Sequence, residues 1–298
     1  MTKFVELFTS GVSLGFIYAL IALGFVIIFK GTEVVNLAHG SMLLAGVYTI
    51  ARLHDTVGFF LACLAGIAVG GVIAVAVEWL LIRPVQHRGG SADIMVILTI
   101  GVDILLLTDL TRRIGANVYG LGDPWSDGIL TIGQLTIPQA RVAAVVTAGV
   151  LIVAFLIAFK FSGWGIAMRA CAEDNEAAAL TGIKMSRVSV TSWLIAGVLA
   201  TVAGVFLTSF PSPGLDANTG LAALSAFPAA LIGGLDSTTG ALVGGITVGI
   251  VETITTGYEG HIAFLGSGIG SVMPWIAMLL VLLIRPSGLF GTREVSRV

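Results

Sequence analysis

The sequence predicts an all-α, polytopic membrane protein with about eight or nine membrane segments, some of them broken or half-spanning. Composition is the first observation behind that expectation. Of 298 residues, 56% are hydrophobic and 11% charged, and the mean hydropathy is +1.02. Soluble domains carry about 25% charged residues, so a water-soluble fold of this size has no place to put so much apolar surface. Long uncharged runs are the second observation. Glycine is the third: its 39 residues are about twice ordinary usage, which suits helices that pack backbone to backbone in a bilayer.

A span needs about 20 apolar residues. Residues 11–29, 57–77, 142–159, 188–210 and 262–284 qualify without a charge, and 94–110 qualifies while carrying Asp103 and Asp109. The first run holds 19 uncharged residues. That is longer than the ~7–15 residues of a signal-peptide core, and no small-x-small cleavage site follows it, so a retained first helix is expected. Three other apolar segments are interrupted. Residues 34–51 contain Asn36, His39 and Gly40; residues 221–235 and 237–251 are separated by Asp236 and split by Pro228, Gly233-Gly234 and Gly244-Gly245. Broken helices survive in a membrane only where protein or a water-filled cavity meets the freed backbone. The whole chain, 1–298, is expected to form one transmembrane domain.

Cytoplasmic loops carry the excess of Lys and Arg. With the N-terminus outside, ten of the fifteen basic residues fall inside: Lys30, Arg83, Arg88, Lys160, Arg169, Lys184, Arg187, Arg285, Arg293 and Arg297. This places the C-terminus in the cytoplasm. Loop 112–141 is then extracytoplasmic, and its stretch ILTIGQLTI reads as a hairpin about Gly133. Loop 160–187 is cytoplasmic. There Asp174 can cap a short helix over 175–181 that Gly182 ends. Such a helix is either a docking surface or packing.

Several chemistries find no support. A P-loop needs Gly-Lys, and the four lysines follow Thr2, Phe29, Phe159 and Ile183. Gly11-Val12-Ser13-Leu14-Gly15 matches a nucleophile motif in form only, because it lies within an apolar helix; glycines four apart read as a packing face. The same spacing recurs at Gly66/Gly70, Gly240/Gly244 and Gly245/Gly249. Cys63 and Cys171 suggest neither a bridge nor a metal site, and a net charge of −2 offers no basic surplus for nucleic acid. A carboxylate at membrane depth normally faces protein or water. Asp103 is the deepest, either lining a cavity or pairing across helices. Glu78 and Glu252 read as interfacial.

Four blocks carry a family resemblance: Asn36-x-Ala38-His39-Gly40; the loop from Gly163 to Ile183; the glycine-rich stretch from Ala226 to Gly245; and the ending from Arg285 to Gly291. Together, in this order, they resemble the H-type permease subunits of branched-chain amino acid ABC importers. The resemblance implies a subunit of the bacterial inner membrane that is not itself an enzyme. It moves an amino acid inward by alternating access beside a paralogous M-type permease. Two cytoplasmic ATPases hold ATP and Mg, so this chain needs no cofactor, and an extracytoplasmic binding protein delivers the substrate. The resemblance points to Arg169, Glu173, Asp174, Glu176, Ala177 and Gly182 as ATPase-coupling residues. Asn36, His39, Gly40, Asp103, Gly233 and Gly234 are the candidates for the translocation path or for support of its broken helices. Asn36 and His39 would share a face on one helix. Well-known members follow Ala-His-Gly with glutamate, where this chain has Ser41, and Thr32 and Glu33 precede the asparagine. Relatives handle branched-chain amino acids, other amino acids, urea or short amides. The rival from another class is an ion-coupled secondary transporter for a small polar solute, which also uses broken helices.

Overall fold

The computed structural model describes residues 2–125, 128–132, 135–210, 213–261 and 268–292. Gly133, Arg293, Arg297 and the start of the expected span 262–284 lie outside these, as do the side chains of Asn175 and Glu176. Six helices among the described residues are long and apolar enough to cross a membrane.

The first helix, α1 (Thr2–Thr32), is longer than its uncharged run. It is the axis of the molecule: Ile17, Leu20, Ile21, Val26 and Ile27 have no exposed surface. Two later helices lie along it, α9 (Met185–Leu207) and α12 (Thr238–Gly257). The α1–α12 contact is made by glycines. A Cβ placed on Gly15 would fall 2.6 Å from Ile246 Cα, and one on Gly249 2.5 Å from Gly15 Cα. Apolar burial gives little drive in lipid, so close van der Waals packing of this kind holds the helices together.

After Thr32 the chain turns through Glu33 at φ 56°. It runs back inward without helix until α2 (His39–Val57) starts. Val34, Asn36 and Ala38 in this stretch are fully buried. The interruption expected in 34–51 therefore precedes His39, and Asn36 is not on a helix. Next comes α3 (Phe59–Val77), which continues through a π-helical turn, Glu78–Ile82, into α4 (Arg83–His87). Pro84 explains the π turn, since it has no N–H for the carbonyl four residues back and its ring crowds that carbonyl. Then follows α5 (Ala92–Ile114), whose Asp109 pairs with Arg112 at 2.9 Å and Arg113 at 2.6 Å.

The hairpin forms as expected. Strands β1 (Ile129–Ile132) and β2 (Leu135–Pro138) pair antiparallel, with Ile129 opposite Pro138. After α6 (Gln139–Phe161), the loop holds two helices rather than one: α7 (Gly163–Glu173) and α8 (Asn175–Leu180). Beyond α9 come the broken pair α10 (Thr219–Leu224) and α11 (Phe227–Gly233), then α12 and α13 (Ile269–Ile284).

The two ends of the bundle are distinct. At one, Lys3 stacks over Tyr258 and Arg141 over Phe210, and Tyr119 bridges to Leu215. At the other, Lys30 donates to the Asp236 carbonyl at 2.7 Å and lies over Phe159, while Thr292 N–H donates to Asp236 Oδ2 at 2.7 Å. Loop 160–187 and the C-terminal segment thus share an end with Lys30, and loop 112–141 occupies the opposite one.

Candidate functional site

The first group of expected residues assembles where α2 begins inside the protein. The His39 ring lies 4.6 Å from that of Phe25 and against Gly24, where a Cβ would come within 2.5 Å of Nε2. Gly24 is eight residues before the end of α1, so α2 starts about 12 Å inside that end. His39 has no exposed surface and faces α1 rather than a cavity. Asn36 holds the break: its Oδ1 accepts from Ala38 N–H at 3.1 Å, and its Nδ2 reaches Met42 Sδ at 3.5 Å. Gly40 lets two backbones meet, since a Cβ there would fall 2.6 Å from the Gly220 carbonyl of α10. Asp103 on α5 sits beside Ser41 in the first turn of α2.

Thr99 was not legible in the sequence. Its hydroxyl accepts from Leu37 N–H at 3.1 Å and is in reach of the Val35 carbonyl at 3.3 Å. One buried threonine thus serves two backbone groups freed by the break, and a threonine in an apolar run gives no sign of it.

Gly233 and Gly234 are not part of this cluster. They lie at the Lys30 end, where Gly234 has φ 103° and a Cβ on Gly233 would strike the Gly240 carbonyl at 2.1 Å. The C-terminal segment pairs with them: Leu289 N–H donates to Ile232 O at 2.8 Å and Phe290 N–H to Gly233 O at 3.0 Å.

Of the two carboxylates read as interfacial, Glu78 is buried between helices toward the Lys30 end and Glu252 is partly buried toward the opposite end. Glu78 is 1% exposed, and its Oε1 accepts from the Ser189 hydroxyl at 2.7 Å. Glu252 is on α12 and faces Tyr18 of α1. Glu252 and Tyr18 line a cavity of about 360 Å³ with Asp216, Asn218, Thr219 and Ser225. Val118 and Pro213 place its wall at the end that carries loop 112–141. Among the described residues the lining contains two carboxylates, hydroxyls and an amide but no Lys or Arg. Such a lining suits a ligand that donates hydrogen bonds and carries positive charge.

At the opposite end the coupling candidates form one compact unit. The Arg169 guanidinium binds the Phe159 and Lys160 carbonyls, fixing α7 to the end of α6. Asp174 Oδ1 accepts from Ala177 N–H at 2.9 Å and so caps α8. Gly182, at φ 87°, closes it; Gly182 N–H donates to Ala179 O at 3.0 Å and Ile183 N–H to Ala178 O at 3.2 Å. Ala178 is buried, whereas Glu173 and Ala177 are exposed and Leu180 is 90% exposed. That bare leucine, also missed in the sequence, is the apolar tip of the loop. Cys171 is on the buried face of α7, and burial raises its thiol above the ordinary range.

A profile of the family described as branched-chain amino acid transport system / permease component matches residues 7–284. The chain is 33% identical to the high-affinity branched-chain amino acid transport system permease protein LivH of Escherichia coli K12, over 99% of this chain and 98% of that one. It is 30% identical to BraD, a permease protein of the same description from Pseudomonas aeruginosa, over 99% and 98%. The probable LivH of Methanocaldococcus jannaschii is 30% identical over 91% and 88%. The chain belongs to the family of permease components of branched-chain amino acid transport systems.

Proposed function

We propose that this permease moves a branched-chain or closely related amino acid inward by alternating access, driven by ATP hydrolysis on partner subunits. A paralogous M-type permease would complete the membrane core, and an extracytoplasmic binding protein would deliver the substrate. The observation that carries this reading is α8. It is a capped six-residue helix presenting Ala177 and a 90% exposed Leu180 on the end where the basic residues concentrate. A short helix with a bare apolar tip fits insertion into a groove of another protein. Glu173, Ala177 and Leu180 would make that contact, while Arg169, Asp174 and Gly182 hold the helix in place.

The cavity at the other end then receives substrate. Glu252, Asp216 and Tyr18 can accept hydrogen bonds from the ammonium group of an amino acid. Asn36, His39, Gly40 and Thr99 support the broken helix behind it, and Asp103 holds the first turn of α2 through Ser41.

The test is uptake into vesicles. The chain is co-expressed with its partners, purified in mild detergent and reconstituted. Co-purifying ATPases and ATP-dependent accumulation of leucine, isoleucine or valine are expected. Accumulation driven by a sodium or proton gradient without ATP would instead establish an ion-coupled transporter.

A further inference from the structure

A second cavity, of about 210 Å³, opens at the end of the bundle shared by Lys30 and loop 160–187, between the end of α1, the π turn with α4, and the start of α9. At its floor is Glu78. That side chain is 1% exposed; Ser189 serves one carboxylate oxygen, and Oε2 is buried without a hydrogen-bond partner. A half-satisfied buried carboxylate is costly unless something completes it. Arg83 and His87 line the same cavity, yet neither forms an ion pair with Glu78 among the described residues. The last turn of α1 adds acceptor character at the floor, its Thr32 carbonyl already accepting from Gln86 Nε2 at 3.4 Å.

The cavity therefore holds opposite charges: acceptors at the floor, the Arg83 guanidinium on the π-turn and α4 side, and the Met185 side chain as an apolar surface. Its volume equals that of about seven waters, enough for a small aliphatic molecule. Only a ligand with a positive and a negative group a few bonds apart meets both halves at once. We propose that this cavity binds a free aliphatic α-amino acid, its ammonium on Glu78 and its carboxylate on Arg83. The proposal rests on the transport reading for its orientation toward the cytoplasm, where the amino acid would be the accumulated product. A bound amino acid would tie together α1, the π turn and α9. Opening toward that side must part some of these elements, so the site would act as a brake set by internal substrate.

The experiment uses the full-length chain with Cys63 and Cys171 replaced by alanine and Ser186, which lines the cavity, replaced by cysteine. Maleimide labelling of position 186 is timed with L-leucine, with 4-methylpentanoate, which lacks the ammonium group, and with 3-methylbutylamine, which lacks the carboxylate. Leucine is expected to slow labelling roughly tenfold at millimolar concentration, and each single-charge analogue to leave it nearly unchanged. Glu78→Gln and Arg83→Gln should each abolish the protection. The proposal is overturned if leucine gives no protection, if either analogue protects equally, or if protection survives in either variant. Should Glu78→Gln fail to fold, the three-ligand comparison on the otherwise native cavity decides alone. Labelling needs neither ATP nor partners. Protection without ATP-driven uptake would sink the transport reading and leave this site standing; uptake without protection would do the reverse.

Discussion

Replacing Asp174 separates the fold of α8 from its charge. Asp174 Oδ1 caps the helix through Ala177 N–H at 2.9 Å. Loss of such a cap costs about 1 kcal/mol, within a range of roughly 0.5–2. A helix of six residues has no intrinsic reserve, because isolated helices shorter than about 12 residues are marginal in water. Its remaining supports are the buried Ala178 and the Gly182 closure. A loss of about 1 kcal/mol would lower the ordered population about fivefold relative to its frayed state. If ATP-driven motion passes through an ordered α8, Asp174→Ala should reduce ATP-dependent uptake by up to about fivefold, with membrane insertion unchanged. Asp174→Ser keeps a capping oxygen but removes the charge, so it should retain most of the activity. The measurement is initial uptake in reconstituted vesicles, normalised to inserted protein. If Asp174→Ser falls as far as Asp174→Ala, charge rather than capping is what matters, and the reasoning fails.

Three further outcomes are expected. Gly15→Ala should destabilise the detergent-solubilised protein by about 1–3 kcal/mol more than Gly101→Ala. A Cβ at Gly15 meets Ile246 Cα at 2.6 Å and one at Gly101 meets nothing within 4 Å, and the common gain in helix propensity cancels in the comparison; equal melting temperatures would contradict the packing argument. Asn36→Leu leaves the Ala38 N–H unserved, at a cost of about 1–3 kcal/mol, and His39→Leu changes the wedge between α1 and α2. Both should lower uptake while assembly with the ATPases persists, and unchanged kinetics in both would remove any role for this break. Cys171, its thiol raised by burial, should hold less thiolate than an ordinary cysteine at pH 8 and stay unlabelled by maleimide until the protein is denatured; rapid labelling of the native chain would show that α7 opens readily.

Much of this architecture was legible because membrane helices are specified by length and composition. The runs around α1, α3, α6 and α9, the hairpin, and the cap and stop of α8 all follow from local chemistry. The break before α2 was visible as Asn36, His39 and Gly40, but its position was not. Periodicity cannot show that residues 33–38 fold back along α1, since the side chain that serves this stretch, Thr99, comes from another helix. Glu78 and Glu252 lie toward opposite ends of the bundle; what their place along a helix could not show is their polar company, Ser189 and Tyr18, which come from neighbouring helices. Gly233 and Gly234 were grouped with His39 because both segments are interrupted, yet the C-terminal segment draws them to the other end.

That C-terminal pairing has a consequence for biogenesis. The last carbonyls of α11, at Ile232 and Gly233, are bonded by Leu289 and Phe290, residues made 57 positions later than those they serve. At about 5–20 residues per second, those carbonyls wait roughly 3–11 s after synthesis before their partners exist. The short α10–α11 pair is therefore sealed from behind by the end of the chain. A nascent protein arrested before residue 289 would hold a broken helix pair whose last carbonyls stay unserved, a ready mark for the quality-control proteases of the membrane.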